Sequence, residues 1–395
     1  MPPRIWLVHA TAFFTLSTEA LIGLLLPLLA VDRGLPPAML GAMVAVGSVG
    51  SLLLAVPAGA LCDYFGDRRL LIAMALITAV TSALYPVAVW LPALALVQIF
   101  GGVARSNTWV AAQSYGVRAI DDAQRHRFTG HFSFAASIGM LVAPLGAGYC
   151  MELWGVDAGF FFMAVWAGVV VVVACILPEH ERPPRSGRRA SVWSVSRGSY
   201  AAAWPLLFRP MLLLLLTLTL LRLSGAAMNA TFFPVHLEQV GMSHFTIGLL
   251  VAVINAGNSI GSLLAAPLVK RGSSGAVIFL SMAVSTVSMA LIPAFRDQLS
   301  ITLLTLIHGT ALGISLPILL AGLARHSKPQ ERGLVLALRA VFNRVGYLIA
   351  PLALGWLVAG YDILTAFLVL AAVVLTLLAV TYLLWRRGQQ NQAAA

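Results

Sequence analysis

The sequence predicts an all-α polytopic membrane protein, with twelve transmembrane helices in two pseudo-symmetric six-helix bundles, and three observations predict it. Of the 395 residues, 60% are hydrophobic and 10% charged, against about 25% charged in a soluble domain, and the mean hydropathy is +0.91. The apolar residues form twelve runs, each near the roughly 20 residues a helix needs to cross a hydrocarbon core about 30 Å thick. The basic residues segregate to alternate connections between those runs. This composition excludes an ordinary soluble enzyme and a disordered chain.

The runs cover residues 5–31, 39–62, 70–90, 93–116, 128–151, 159–177, 211–236, 245–268, 276–295, 299–323, 334–358 and 363–385. The first is too long for a signal-peptide core and lacks a convincing cleavage site, so it counts as a span. With the N-terminus inside, 19 of the 25 basic residues fall in the tails and inner connections; Arg33 and Arg296 fall outside, and Arg105, Arg222, Arg339 and Arg344 lie within helices. That asymmetry predicts a protein of the inner membrane with both termini cytoplasmic. It also accounts for the net charge of +11 without a nucleic-acid partner. The three cysteines, Cys62, Cys150 and Cys175, are odd in number and suggest neither a disulfide framework nor a metal cluster. No cofactor is expected.

The longest connection, residues 178–210, is rich in Arg, Ser and Pro. It divides an N-terminal half (1–177) from a C-terminal half (211–395) and reads as a solvated cytoplasmic linker, or one that rests on anionic lipid. The halves repeat. Gly50-Ser51-Leu52-Leu53 recurs as Gly261-Ser262-Leu263-Leu264, and Gly139 to Pro144 as Gly346 to Pro351, at offsets of 211 and 207 residues. Duplicated halves are a common way to build a site that opens to either side of a membrane.

Polar residues at bilayer depth are costly and are read first as functional. The third, sixth, ninth and twelfth spans have no charged, His, Asn or Gln residue in their interiors. The others carry Glu19, Gln98, Arg105, Asn107, His131, Arg222, Asn229, Asn255, Asn258, His308, Arg339, Asn343 and Arg344, as expected of helices around a polar cavity. Gln98 and Arg105 share a helix face, as do Arg222, Gly225 and Asn229. By helical rise Arg222 and Arg344 lie about 15–17 Å into their spans, near the midplane. Arg339 is shallower and points to the inner headgroups or to an inner gate.

Four Arg against one Glu give the membrane interior a positive balance. Guanidinium groups grip carboxylate or phosphate through paired hydrogen bonds and oppose a cation. The expected substrate is therefore a small organic compound that is anionic or amphipathic, bound by Gln98, Arg105, Arg222, Asn229, Asn255, Asn258, Asn343 and Arg344. The bland alternative for each Arg is a packing role. Glu19 is either a proton-coupling site or an ion-pair partner. His308 and His131 are weaker proton-coupling candidates, since a lone intramembrane His also serves as a helix contact.

Between the second and third spans the chain reads Gly59-Ala60-Leu61-Cys62-Asp63-Tyr64-Phe65-Gly66-Asp67-Arg68-Arg69, which resembles the signature loop of the major facilitator superfamily. With twelve spans, two halves and a basic linker, the resemblance covers essentially the whole chain. It implies an inner gate at Gly59, Asp63, Gly66, Arg68 and Arg69, with Asp63 latched to Arg68 or Arg69. Gly139 to Gly148, with Pro144 inside, resembles the fifth-span motif of the drug and metabolite:proton antiporters of that superfamily. Ala143 stands where the pattern has Gly, and the similar run at Gly346 and Pro351 makes helix packing a second reading. The superfamily's usual Arg before the pair Gly101-Gly102 is Gln98 here, and Arg105 is its nearest replacement. The resemblance implies a monomeric secondary transporter working by alternating access, with proton-coupled efflux of a metabolite, siderophore or drug as the first reading. Uptake of a similar solute, or a non-transporting receptor or scaffold on the same fold, are the alternatives. No nucleotide-binding loop or nucleophile–base constellation points to an enzyme.

Overall fold

The structure, a computed structural model, describes residues 5–54, 58–120, 125–179 and 204–394. Most of the central linker, with Arg182, Arg185, Arg188, Arg189 and Arg197, lies outside the described residues. Those described form α-helices joined by short turns, with no strand among them. The helices are α1 (Ile5–Asp32), α2 (Pro37–Leu54), α3 (Ala58–Phe65), α4 (Asp67–Leu84), α5 (Leu91–Arg118), α6 (Arg125–Trp154) and α7 (Val156–Ile176). After a 3₁₀ turn at Trp204–Phe208 follow α8 (Pro210–Thr231), α9 (Phe233–Gln239), α10 (His244–Arg271), α11 (Ser274–Leu291), α12 (Gln298–Arg325), α13 (Arg332–Gly360) and α14 (Ile363–Ala394).

Each of the twelve apolar runs falls on this helical framework, the second as α2 with α3 and the seventh as α8 with α9. Among the described residues, nine helical segments are long and apolar enough to cross a membrane by length and composition. The α2 run is described only in part, and its described apolar segment, Pro37–Leu52, is shorter. The runs at α4 and α5 are less apolar: α4 begins on Asp67, Arg68 and Arg69, and α5 carries Gln98, Arg105, Asn107 and Gln113. Prolines lie inside α1, α6, α10, α12 and α13, which membrane helices tolerate when neighbours satisfy the freed carbonyls.

Two compact units emerge: one comprises Met1–Gly34, Val46–Gly198 and Met242–Ala252, the other Leu35–Ala45, Ser199–Gly241 and Val253–Ala395. In the first unit, Gly139 lets α6 press on α1, since a Cβ there would lie 1.9 Å from the Phe13 carbonyl oxygen. A Cβ on Gly248 would lie 2.4 Å from the Pro144 oxygen, and one on Gly148 2.8 Å from the His244 oxygen. In the second unit, Gly41 meets the Pro351 carbonyl in the same way at 2.3 Å, and Gly346 approaches Leu223 and Leu220. The repeat is also geometric. A Cβ on Gly102 would lie 2.1 Å from the Gly47 oxygen, and one on Gly313 would lie 2.1 Å from the Asn258 oxygen; 258 − 47 and 313 − 102 both equal 211.

Below this packing, the first unit has an apolar core of Leu7, Val8, Ala12, Leu71, Tyr115 and Phe132, with the Cys62 side chain buried among them. It fixes α1, α4, α5 and α6 at one end. Their polar residues are thereby held at fixed heights.

Candidate functional site

Each unit holds its own polar cluster. In the first, α1 presents Glu19 and α5 presents Gln98 and Arg105, two turns apart on one face as their spacing of seven requires. Arg105 is only 3% exposed, and its Nε lies 3.9 Å from Oε2 of Glu19, which is 33% exposed. Arg105 Nε and Nη1 are buried without a hydrogen-bond partner among the described residues. The Glu19 carboxylate therefore supplies charge compensation to Arg105 at ion-pair distance. Protonating Glu19 would remove that contribution at bilayer depth, where the Coulomb interaction is weakly screened.

Tyr85, just beyond the end of α4, completes this cluster. Its ring is fully buried and stacks on Phe160, with centroids 4.8 Å apart, and its hydroxyl donates to Gln98 Oε1. The missing side chain of Gly101 makes the room. A Cβ there would stand 2.8 Å from Arg105 Nη1, 3.3 Å from Thr81 Oγ1 and 3.4 Å from Tyr85 Oη. On the other side a Cβ at Gly47 would stand 2.6 Å from Gln98 Nε2. Periodicity could place Gln98 beside Arg105, but no signal in the sequence singles out Tyr85.

In the second unit, Arg222 on α8 donates from Nε to Ser315 Oγ at 2.9 Å and from Nη2 to the Leu312 carbonyl at 3.3 Å. Ser315 donates in turn to Leu312 O at 2.6 Å. One helix step outward, a Cβ on Gly225 would lie 3.6 Å from His308 Cε1. His308 is fully buried, and its Nδ1 lies 2.9 Å from the Ser285 carbonyl oxygen and 3.1 Å from Ser285 Oγ. A carbonyl only accepts, so Nδ1 carries the proton. Nε2 is then an acceptor and, like Thr305 Oγ1 and Asn229 Oδ1, is buried without a hydrogen-bond partner among the described residues.

Arg339 and Tyr347 on α13 are close enough to act on Arg222 electrostatically, and Arg339 Nε is buried without a hydrogen-bond partner among the described residues. Asn343 and Arg344 are half-buried on α13, as are Asn255 and Asn258 on α10. The four acidic residues of this unit, Glu238, Asp297, Glu331 and Asp362, all lie at helix ends. Its intramembrane guanidinium groups therefore have no carboxylate in the helix interiors of their own unit.

At the start of α4 the structure differs from the expected latch. Asp63 pairs with Arg118 at the end of α5, not with Arg68 or Arg69, and Arg118 Nη1 also lies 3.3 Å from the buried Asp67. Burial works against the charge on Arg118, but the hydrogen bond to Asp63 and the charge of Asp67 outweigh it and raise its pKa. The turn at Gly66, with φ +88°, directs the two basic residues elsewhere. Arg68 donates to the Ala174 and Cys175 carbonyls, at 3.0 and 2.6 Å, closing the end of α7, where a cation also suits the helix dipole. Arg69 pairs with Glu179 at 2.9 Å. Gly59 is exposed with nothing within 4 Å of a Cβ. His131 is exposed on the first turns of α6, its ring 5.9 Å from that of His9 and remote in sequence from either cluster.

The family model described as Major Facilitator Superfamily matches residues 7–321 and 215–394. Multidrug resistance protein 2 of Bacillus subtilis (strain 168) is 22% identical over 363 residues, which span 90% of this chain and 88% of that protein. Among solved structures, a mutant of the nucleoside transporter NupG superposes with a TM-score of 0.81 at 14% identity, over 96% of this chain and 99% of that one. A bacterial homologue of the human lysosomal transporter Spinster, inward-facing and unoccupied, gives 0.77 at 14% identity, over 98% of each chain. These two likenesses are likenesses of fold.

Proposed function

We propose that the protein, which belongs to the major facilitator superfamily, exports a small anionic or amphipathic organic compound in exchange for protons. Membership makes it an integral membrane transporter of small molecules and not an enzyme. The finer reading assigns the two clusters different work. In the first unit Glu19 takes and releases the coupling proton, with Arg105 as its electrostatic counterpart and Tyr85 and Gln98 holding the geometry. In the second unit Arg222, with Arg339 and Arg344 on α13, supplies positive charge to a solute anion, and Asn229, Asn255, Asn258 and Asn343 supply hydrogen bonds. His308 is a second proton-accepting position. The halves, joined by the basic linker, alternate in access, with the protein in the inner membrane as a monomer and both termini cytoplasmic.

One observation carries this reading: among the described residues, the hydrogen-bond acceptors that fix Arg222 are neutral, Ser315 Oγ and Leu312 O. A buried cation without a carboxylate is unfavourable, and a solute anion would relieve that cost. The direction is supported by the 22% identical relative, which is named a multidrug resistance protein. The test is a panel of organic anions and permanent organic cations in proteoliposomes with an imposed pH gradient, comparing wild type with Glu19→Gln and Arg222→Ala. Anion flux that follows the gradient, is lost in Arg222→Ala and is uncoupled in Glu19→Gln is the expected result. Preference for permanent cations sinks the assignment of charge, and unchanged proton dependence in Glu19→Gln sinks the assignment of coupling.

A further inference from the structure

Arg33 is one of two basic residues that the charge asymmetry places outside, and the structure gives it an unusual set of partners. It follows the last residue of α1. Its Nη1 donates to the Ala88 carbonyl at 2.7 Å, and its Nη2 to those of Tyr85 and Pro86 at 2.9 and 2.6 Å. The backbone beyond α4 is otherwise held by turn bonds, from Ala88 N–H to Leu84 O at 2.9 Å and to Tyr85 O at 3.3 Å. The Tyr85 N–H reaches Ser82 O at a long 3.4 Å, and Pro86 has no N–H to give. The guanidinium fork gathers three carbonyls that follow the end of α4, where the helix dipole also favours a cation.

One of those carbonyls belongs to Tyr85, whose hydroxyl holds Gln98 and lies beside Arg105 Nη1 around Gly101. The contacts form a closed ring. Glu19 and Arg33 are 14 residues apart on one helical run, α1 and its first following residue, about 21 Å by helical rise. From Glu19 the ring passes to Arg105 on α5, to Gln98 on the same face, across to Tyr85, and by the Arg33 fork back to α1. The next residue, Gly34, has φ +62°, and after it the chain leaves the first unit, Leu35–Ala45 belonging to the second.

We infer that Arg33 is a positioning residue for the Glu19–Arg105 cluster: it sets the height of the Tyr85 hydroxyl and ties it to the turn where α2 begins. This deepens the reading of Glu19 as the proton site and rests on it for its functional consequence. Lys cannot replace Arg fully, because an ammonium is a single point charge and cannot span three carbonyls as a planar fork does.

The experiment replaces Tyr85 with 3-fluorotyrosine in the full-length protein in nanodiscs and follows its ¹⁹F resonance. Wild type is expected to give one sharp line. Arg33→Gln should broaden, split or displace that line, with Arg33→Lys between the two. In proteoliposomes, proton flux driven by a pH gradient provides a second readout. Arg33→Gln should lower it about tenfold in a wild-type background and less than about twofold in Tyr85→Phe, because residues acting through one another are non-additive. A sharp line at the wild-type position in Arg33→Gln, or equal losses in both backgrounds, overturns the inference. If proton flux in Glu19→Gln equals that of wild type, the coupling role of Glu19 fails, while the line shape in Arg33→Gln still decides the positioning role.

Discussion

Arg209 and Glu331 face each other through two parallel hydrogen bonds of 2.7 and 2.8 Å, Nη1 to Oε2 and Nη2 to Oε1. Arg209 is the residue before α8 and Glu331 the residue before α13, so the pair joins the entries of the two helices that carry Arg222 and Arg344. The Arg209 hydrogen bond holds the Glu331 carboxyl down to about 2, and Arg209 is raised in return. A carboxylate depressed in the folded state contributes stability that is present above its ordinary value and lost as pH falls through its folded value. The thermal stability gap between wild type and Glu331→Gln should therefore be open at pH 6, narrow below about pH 4.5, and close near pH 2. Both groups are partly exposed, so the gap is modest and shrinks with salt. A gap that persists unchanged at pH 2 would assign it to packing.

Arg118 serves two carboxylates of unequal cost. Asp63 is 64% exposed and Asp67 only 6%. Removing the cation leaves Asp63 to water but strands Asp67, and an unpaired buried charge is the expensive case. Arg118→Ala should destabilise the protein by about 1–3 kcal/mol, Asp63→Ala by less than about 1 kcal/mol, and Asp67→Asn should recover part of the Arg118→Ala loss. Denaturant titration in detergent checks the ranking; Asp63→Ala costing as much as Arg118→Ala would refute it.

The glycine contacts at 211-residue spacing should respond alike. Gly102→Ala and Gly313→Ala each place a methyl 2.1 Å from a carbonyl oxygen and should cost about 1–3 kcal/mol through forced helix separation. Gly59→Ala meets nothing within 4 Å and should leave stability unchanged within about 0.5 kcal/mol. Loss of folded yield in the first two, with wild-type yield in the third, is the expected pattern.

The hold on Arg222 is graded. Arg222→Ala should lower anion flux by roughly tenfold or more, the scale of a lost hydrogen bond to a charged group. Ser315→Ala keeps the charge and loses the 2.9 Å contact, and should lower flux by only about two- to fivefold. Initial rates across an anion series distinguish them, and a larger effect of Ser315→Ala would mean that packing, not charge, governs the site.

The turn residues, polar spacings and repeats were legible because they are local or periodic. Gly66 and the run to Arg69 mark the sharp turn into α4; Gln98 and Arg105 share a face because seven residues are nearly two helical turns. The partners were not legible. Asp63 and Arg118 are 55 residues apart and Arg209 and Glu331 122, and which cation reaches which carboxylate depends on how helices distant in sequence come together. Tyr85 gave no signal because its backbone ends a helix while its side chain works inside the bundle.

By itself, the sequence determined a membrane-embedded, all-helical chain, since twenty-residue apolar runs leave their backbone no solvent other than itself, and it determined where charge enters that medium. Only the tertiary structure decided which groups answer which charges: Arg105 by Glu19, Arg118 by Asp63 and Asp67, Arg222 by a hydroxyl and a carbonyl among the described residues. Hydrophobicity is a sum over residues and can be read along a chain. An ion pair is set by a separation of a few ångströms, and that separation exists only once the helices have packed.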